Sequence, residues 1–402
     1  MGMMTNVSHA AMDCHRNFSR VTLRNSSNEV VSRQRLEHGN RELLREQLRS
    51  WPAGTPVILE ATFGWSWMSD EIEAASLEPH LANCTKVAGW RKARGIAKSN
   101  RTDADLLSEL WPNVNERWWE VWLPPREVRG RREWLRYRIN LVRMQGGLKN
   151  RMHAILHTHG VMHDFSDLFG VQGRRFLNLL IASDNEQISV SASAAMKGYL
   201  QLLDHIRRQI AGVTREFRRQ QLKDPVAERL RTLPGVSWIL AYTILAEVGS
   251  FARFRGGRRL AKYSLLAPMA NDSGDENPNE TPKGRHIGKI GRRTLKWAWL
   301  EAAHSAIRKD TRFRQIYDAR TDGGKRDRMR GLVAVARALC CTAWSMEKNQ
   351  RNYQQEPPPR PGSGGKSQRN DPGTNKRHSR PVKGQSLLAM VPAASGRRQT
   401  SF

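Results

Sequence analysis

Long apolar runs are missing from this sequence of 402 residues. No stretch approaches the roughly 18 consecutive apolar residues that a membrane-spanning helix needs, which argues against an integral membrane protein. Residues 1–15 also lack the apolar core of a secretory signal peptide. We therefore expect a protein of the cytoplasm.

Cysteines are few, and their spacing fits neither a zinc-binding pattern nor a disulfide framework. The four are Cys14, Cys84, Cys340 and Cys341. The last two are adjacent and lie in an apolar, helix-like run. We predict reduced thiols, with Cys340 packed in a core.

Acidic residues are scarce beside basic ones. The chain has 38 Asp and Glu against 67 Lys and Arg, which gives a formal net charge of +29. Such a surface attracts polyanions through phosphate contacts and counterion release. A ribosomal or membrane-surface protein is the alternative. We predict a nucleic-acid partner and a nucleoid-associated location in a prokaryotic cell.

Residues 1–124 carry the pattern of an α/β domain. Short extended segments fill residues 7–34, an apolar strand follows at 56–62, and helix-like stretches lie between the later strands. The order β-β-β-α-β-α-β is typical of a ribonuclease-H-like sheet. One helix-like stretch contains Leu36, Leu43, Leu44 and Leu48. We interpret the tryptophans before Pro124 as packing residues rather than base-stacking platforms; they are Trp111, Trp118, Trp119 and Trp122.

Residues 125–222 carry a long helical pattern, coiled-coil-like in its spacing. Apolar side chains recur at steps of three or four on one predicted face; they are Trp134, Tyr137, Leu141, Met144, Leu148, Met152 and Ile155. A second helix is predicted at roughly 184–221. Two such helices suit an antiparallel hairpin or a dimerising coiled coil. Basic side chains lie on the other faces of the predicted helices, among them Arg136, Arg143 and Lys149. Either they contact the phosphate backbone of a nucleic acid, or they are only solvated.

Residues 223–350 are predicted to be mostly helical, and residues 351–402 to form a disordered basic tail rich in Pro, Gly and Ser. Within the helical part, residues 230–254 have the pattern of a helix-hairpin-helix. Gly235 suits a tight turn whose backbone amides face a phosphate. The alternative is an ordinary apolar helix pair with Gly249 as C-cap.

Carboxylates mark a candidate metal site in the first domain. Asp13 lies in the first predicted strand and Glu60 ends the fourth, and these two strands are neighbours in a ribonuclease-H-like sheet. Asn100 and Asp103 are three residues apart, on one helix face. Together they offer oxygen ligands for Mg²⁺, or alternatively Mn²⁺, in phosphoryl transfer. Taken singly, each acid also suits a structural role, such as Asp103 at a helix start.

A serine in the C-terminal region marks a candidate nucleophile. Ser273 precedes Gly274 in a polar loop, and a basic stretch follows. A serine beside basic groups can attack a phosphodiester, because the cations stabilise charge that develops on phosphorus. The basic residues are Lys283, Arg285, Lys289, Arg292 and Arg293. Ser-Gly pairs are common in loops, so the pattern alone does not establish catalysis.

Ordered segments over roughly residues 8–347 resemble the DEDD insertion-element transposases, which include the Piv-type DNA invertases and the RNA-guided bridge recombinases. The segments include MDCHRNFSRVTL, VILEATFGW, KSNRTDADLLSEL, LPGVSWILAYTILAEVG and LAKYSLLAPMANDSG. The resemblance implies a RuvC-like domain, a helical linker and a C-terminal transposase domain. It also implies four Mg²⁺-binding acids and a serine that forms a covalent phosphoserine link with DNA.

The resemblance assigns roles residue by residue. Asp13 matches the first acid, Glu60 the second, Asp103 the fourth and Ser273 the nucleophile. The third acid falls at Asn100, whose carbonyl can ligate a cation but carries no charge. Asp105 is near in sequence, but its offset from Asp103 places it on another helix face. Some family members form tetramers that are guided by a structured RNA. We therefore expect further copies of this chain, in a dimer or tetramer, and a structured guide RNA as partners.

Three hypotheses follow. The leading one is a metal-dependent serine transposase that moves its own element by cutting and rejoining DNA. The second is a RuvC-like structure-specific endonuclease that uses only the carboxylates and water. The third is a decayed, non-catalytic copy that still binds nucleic acid, and Asn100 is the residue that favours it.

Overall fold

The N-terminal part of the chain folds around a mixed six-stranded sheet. The computed structural model describes residues 6–97, 103–112, 117–182, 187–269, 286–287 and 291–354. The strands are β1 (His9–Cys14), β2 (Phe18–Arg24), β3 (Val30–Glu37), β4 (Pro56–Glu60), β5 (Glu78–Ala82) and β6 (Glu120–Val121). Their order is β3-β2-β1-β4-β5-β6. The first three strands form an antiparallel meander, β1, β4 and β5 are parallel, and β6 is antiparallel to β5. The predicted adjacency of the first and fourth strands is confirmed.

Helices cover both faces of this sheet: α1 (Arg41–Arg49), α2 (Trp65–Ala74), α3 (Cys84–Ala93) and α4 (Asp103–Ser108). Strand side chains alternate between the faces. Met12 and Leu59 therefore join the core that includes α1 and α2, whereas Ala11 and Ile58 join the core that includes α3 and α4. The sheet lies between two apolar layers.

Leu36 was expected in a helix, and that prediction is wrong. It lies in β3, opposite Ser19 of β2. The helix begins only at Arg41, because the side chain of Asn40 caps it by accepting a hydrogen bond from the Leu43 amide. The three later leucines keep their helical spacing, but Leu43 is 43% exposed.

The central part of the chain is an antiparallel helical hairpin. Its helices are α5 (Arg126–Thr158), α6 (Val171–Ala182) and α7 (Val190–Gln221). Tyr137, near the start of α5, donates to Gln209, and Arg138 donates to Thr214, near the end of α7. Of the two arrangements that the sequence left open, the chain therefore forms the hairpin within itself.

The buried line of α5 differs from the predicted apolar face. Leu141, Leu148 and Met152 are buried as expected. Trp134, Tyr137 and Met144 belong to the same predicted apolar face but are 40%, 42% and 56% exposed. In the first turns of α5 the inward positions belong to Arg129, Arg132 and Leu135, and the two arginines are buried because they donate hydrogen bonds to other elements.

The C-terminal part is mostly helical, as predicted. Its helices are α8 (Pro225–Thr232), α9 (Trp238–Val248), α10 (Gly257–Tyr263), α11 (Arg293–Lys309), α12 (Thr311–Thr321) and α13 (Arg328–Asn349). The short strands β7 (Pro268–Met269) and β8 (His286–Ile287) pair antiparallel. Trp299, Phe313 and Cys340 lie in the core of this part. The cysteines at 14, 84, 340 and 341 are free thiols, as predicted.

α9 belongs to two cores at once. Most of its buried side chains join the C-terminal core, but Tyr242 and Ala246 join the core of the hairpin. The ring of Tyr242 is stacked on Phe217 of α7, with 3.6 Å between centroids.

Over the described ranges, no helix has both the length and the apolarity to cross a membrane. The boundaries predicted at 124, 222 and 350 stay predictions, and the predicted tail falls outside the described residues from position 355 onward.

Candidate active site

A cavity of about 340 Å³ lies where β1 and β4 end. Three of the predicted acids line it: Asp13, Glu60 and Asp103. The other lining residues are Cys14, His15, Thr62, Phe63, Cys84, Ala88 and Arg91. The sheet thus brings together side chains that lie far apart in sequence.

Strand register explains how Asp13 and Glu60 meet. Met12 is paired with Leu59 across the parallel β1–β4 ladder, so the next residue of each strand emerges at the same end of the sheet. Asp13 shares a face with Ala11, and Glu60 shares it with Ile58, because strand side chains alternate. That face is the one covered by α3 and α4.

Two helices complete the walls of the cavity. Asp103 is the first residue of α4, and α4 is fixed to β1 by a 3.0 Å hydrogen bond between the His9 ring and the Ser108 carbonyl. Arg91 projects from α3 and lies 3.4 Å from the Asp103 carboxylate. His15 lies 3.1 Å from the carboxylate of Asp13. The acids therefore share the cavity with nearby basic side chains.

The cysteines of the cavity carry no charge at neutral pH. Burial raises the pKa of the Cys14 thiol to about 12. Burial and the nearby charge of Glu60 raise the pKa of Cys84 as well. Both groups stay thiols, and thiolate is the form that binds metals or attacks as a nucleophile. The ligand chemistry here is that of carboxylate oxygen.

Oxygen donors of this kind fit a hard divalent cation. Mg²⁺ is commonly held by one or two carboxylates together with water and substrate phosphate, rather than by a closed cage of side chains. Among the described residues, no three His, Cys, Asp or Glu side chains stand close enough to hold an ion by themselves. Binding of Mg²⁺ at this cavity stays a prediction.

Asp105 lies outside the cavity, on a different side of α4 from Asp103. Its carboxylate accepts hydrogen bonds from Thr22 of β2 at 2.6 Å and from Arg33 of β3 at 3.0 Å. Burial raises the pKa of Asp105, but these hydrogen bonds outweigh it and the pKa is lowered overall. The expected separation of the two acids agrees with their contacts: Asp105 ties α4 to the sheet.

Several predicted site residues fall outside the described residues. They are Asn100, Ser273, Lys283, Arg285 and Lys289. Their roles as third metal ligand, nucleophile and nucleic-acid contacts stay predictions.

The described basic residues differ in their exposure to solvent and in their contacts within the protein. Arg136 and Arg143 are exposed on α5, and Arg293 is exposed at the start of α11. Lys149 packs its ammonium over the ring of Phe169, 5.1 Å from its centroid. Arg292 pairs with the buried Glu247 at 3.3 Å and donates to the Tyr263 hydroxyl. Within the described ranges, no ion pair involves Arg136, Arg143 or Arg293, whereas Arg292 is paired with Glu247.

Gly235 forms the predicted turn, with φ of +86°. A Cβ at this position would lie 2.2 Å from the Ala302 carbonyl oxygen of α11. Close backbone approach therefore requires glycine here. Gly249 caps α9 as the alternative interpretation expected, and the ring of Trp122 packs against it.

Two arginines at the end of α9, the buried Arg132 and the half-buried Arg253, were not predicted from the sequence. Arg132 donates to the carbonyls of Ala246 and Glu247, and Arg253 donates to that of Val248. Cations at a helix C-terminus satisfy its free carbonyls and oppose its dipole. Burial lowers the pKa of Arg132 to about 10, and that of Arg253 in the same direction. No sequence pattern distinguishes these arginines from solvated ones.

Comparisons with known proteins point to one group. Residues 227–318 match the model of the Transposase IS116/IS110/IS902 family. An insertion element IS116 uncharacterized 44.8 kDa protein of Streptomyces clavuligerus is 27% identical over 144 residues, which cover 36% of this chain and 35% of that protein. The chain thus matches about a third of that relative's length.

A second relative is matched over a longer stretch. The transposase for insertion sequence element IS1111A of Coxiella burnetii (strain RSA 493 / Nine Mile phase I) is 23% identical over 307 residues, covering 74% of this chain and 79% of that protein. Both relatives are thus named as proteins of insertion elements, and one of them as a transposase.

Proposed function

We propose that this chain is a transposase that cuts and rejoins DNA, with metal-assisted chemistry at the cavity of Asp13, Glu60 and Asp103. The observation that carries the proposal is the parallel pairing of β1 with β4, which brings two acids to one end of the sheet where α4 adds a third. The relatives described as insertion-element proteins support the same assignment.

The strand order supports a RuvC-like domain. A meander followed by two parallel strands, with acids on the first and fourth strands, is the arrangement expected of a ribonuclease-H-like nuclease sheet. Fold alone does not fix function. It is the placement of carboxylates at this end of the sheet that favours phosphodiester chemistry.

Asp13, Glu60 and Asp103, with the carbonyl of Asn100, are the residues that would hold Mg²⁺ or Mn²⁺. When bound, such an ion neutralises charge on the phosphoryl oxygens. The carboxylates keep the cavity anionic, and Arg91 beside Asp103 lowers the repulsion that a phosphate meets on entering.

The nucleophile in this proposal is Ser273, on the strength of the family resemblance. Its Oγ loses a proton and forms a bond to phosphorus, while the bond from phosphorus to a deoxyribose oxygen breaks. That oxygen leaves with a proton as a free hydroxyl. A hydroxyl of another strand then attacks the phosphoserine, restores the serine and joins the new strand.

In this proposal, exposed basic side chains bind DNA, together with a guide RNA and further copies of this chain. Arg136, Arg143 and Arg293 are exposed, and Lys283, Arg285 and Lys289 belong to the basic stretch beside the serine. A structured guide RNA and assembly into a dimer or tetramer are part of the proposal because the family resemblance implies them.

A covalent adduct is the decisive test. The full chain is incubated with Mg²⁺ and a DNA fragment that carries the sequences flanking its reading frame, and protein-linked DNA is separated on a denaturing gel. We expect an adduct that disappears in Ser273→Ala, and loss of all strand cutting in Asp13→Asn. Asp318→Asn, altered at an acid of α12 that does not line the cavity, is the control and keeps both.

Other outcomes contradict the proposal in distinct ways. Metal-dependent cutting without an adduct identifies a nuclease that uses the carboxylates and water. DNA binding without cutting identifies a non-catalytic copy. If the protein binds DNA but does not cut it, the Asn100→Asp variant is tested next. Cutting by that variant would show that the missing third acid caused the loss of activity.

A further inference from the structure

Phe63 is a strongly exposed aromatic residue at the rim of the carboxylate cavity. Its side chain is 76% exposed and lines the cavity together with Asp13 and Glu60. Exposure alone does not indicate a binding role. Met162 and Val190 are 87% and 89% exposed, and scattered apolar residues are common on protein surfaces. The position of Phe63 among the acids is what calls for an explanation.

The chain around Phe63 is held in place on both sides. Before it, the Ala61 amide donates to the Ala82 carbonyl at 2.9 Å, which extends the β4–β5 pairing. After it, Gly64 adopts φ of +85° as the N-cap of α2. The ring is thus presented from a short, ordered connection between a strand and a helix.

The neighbouring tryptophans already have partners within the protein. Trp65 and Trp67 pack against the core of the sheet. The guanidinium of Arg41 lies over the Trp67 ring at 4.1 Å, and that of Arg129 lies near the Trp65 ring at 5.7 Å. Within this short aromatic segment, it is Phe63 that offers a ring face to solvent.

The cavity therefore has a flat apolar surface at its rim and charged groups inside. Arg91 lies within, 3.4 Å from Asp103, with 19% of its side chain exposed. A nucleotide unit has the complementary chemistry, because it joins a flat base to a charged phosphate. Every base has a π-face, so stacking on an aromatic ring tolerates any sequence.

We propose that Phe63 stacks on the nucleobase next to the scissile phosphate and so positions the strand in the cavity. The ligand is an unpaired or locally unstacked base of the DNA strand. This inference rests on the proposed function, because a strand must enter the cavity for its base to reach the ring. Phe63 is a positioning residue in this role and takes no part in bond making.

Photo-crosslinking tests the contact directly. The full chain is irradiated with a single-stranded oligonucleotide that carries 5-iododeoxyuridine in place of thymidine, and the linked peptides are mapped by mass spectrometry. We expect the peptide that contains Phe63 to carry the nucleotide. Crosslinking at this peptide is kept in Phe63→Tyr and lost in Phe63→Leu, which keeps an apolar side chain without a π-face.

Strand cutting provides the second readout. We expect Phe63→Leu to lower the apparent affinity for the cut strand about tenfold, within the range measured for one stacked base. Phe63→Tyr stays close to wild type. Trp134→Leu removes an aromatic side chain that is 40% exposed on α5 and does not line the cavity, and it serves as the matched control.

The outcomes separate this inference from the proposed function. A crosslink at Phe63 in a protein that cuts no DNA supports the stacking contact and contradicts the function. Normal cutting with no crosslink at Phe63, and with Phe63→Leu equal to wild type, overturns the stacking contact and leaves the function standing. A loss of cutting in Phe63→Leu and Phe63→Tyr alike also overturns it, because an aromatic ring should be sufficient.

Discussion

The guanidinium of Arg91 lies 3.4 Å from the carboxylate of Asp103, inside the cavity that Asp13 and Glu60 also line. Both side chains of the pair are mostly shielded, with 19% and 16% of their area exposed. One acid of the proposed metal site is therefore already paired with a cation from α3. A metal ion that enters the cavity must compete with Arg91 for that carboxylate.

Replacing Arg91 with alanine should strengthen binding of a divalent cation. Removing a competitor worth roughly 1 kcal/mol lowers the Mg²⁺ concentration for half-saturation about fivefold. Calorimetric titration of the full chain with Mg²⁺ measures the change. Arg94→Ala is the control, because Arg94 lies on the same helix but pairs with Glu109, outside the cavity lining. Equal Mg²⁺ affinity in the two variants would show that Arg91 does not compete.

Gly235→Ala should destabilise the protein far more than Gly54→Ala. Both glycines have positive φ, +86° and +76°, so alanine costs each about 1–2 kcal/mol in backbone strain. At Gly235 the new Cβ also meets the Ala302 carbonyl oxygen at 2.2 Å, whereas nothing lies within 4 Å at Gly54. The steric clash adds about 1–3 kcal/mol. Urea unfolding curves measure both, and equal losses would contradict the close packing of this turn on α11.

Glu347→Ala should cost about 2–3 kcal/mol of unfolding free energy. Glu347 accepts two hydrogen bonds from Arg229, at 2.9 and 2.7 Å, and both side chains are largely shielded from solvent. Removing the acid leaves the guanidinium without its charged partner. Adding Arg229→Ala should cost less than the sum of the single losses. Asp318→Ala, which removes an exposed ion pair with Arg314, should cost less than about 0.5 kcal/mol.

The contribution of Asp105 to stability should depend on pH. Its pKa in the folded protein is lowered, so the stabilisation is present above the unfolded-state pKa of about 3.9 and is lost as pH falls through the folded value. The difference in unfolding free energy between wild type and Asp105→Asn should be largest near neutral pH and shrink below about pH 4. A difference that stays constant from pH 7 to 3 would exclude a role for the charge.

Patterns that depend on one strand or one apolar layer were predictable from the sequence. The short extended segments predicted β1, β2 and β3, and the apolar run that contains Glu60 predicted β4. The proximity of Asp13 and Glu60 followed from the expected strand order. The free thiols followed from the spacing of the cysteines, and the C-cap at Gly249 from the end of an apolar helix.

Features that depend on tertiary contacts were not predictable. α3 buries only Val87, so its sequence shows little apolar periodicity. Arg129 and Arg132 occupy inward positions of α5, where a pattern of apolar side chains placed Trp134 and Tyr137 instead. Arginine is ordinarily a surface residue, and its burial here depends on tertiary partners. Arg132 donates to backbone carbonyls at the end of α9, and Arg129 donates to Ser66 and Asp70 of α2. The pairing of Arg91 with Asp103 likewise joins elements that the sequence does not relate.

The stacking of Tyr242 on Phe217 has a consequence for the order in which the chain folds during synthesis. The sheet has all its strands once Val121 has left the ribosome, whereas the hairpin core needs Tyr242 and Ala246, which come well after α7 is complete. The nascent hairpin must wait with Phe217 in water until α9 emerges. A ribosome that stalls between α7 and α9 would therefore leave this apolar surface uncovered, and transiently exposed surface of this kind is prone to aggregate.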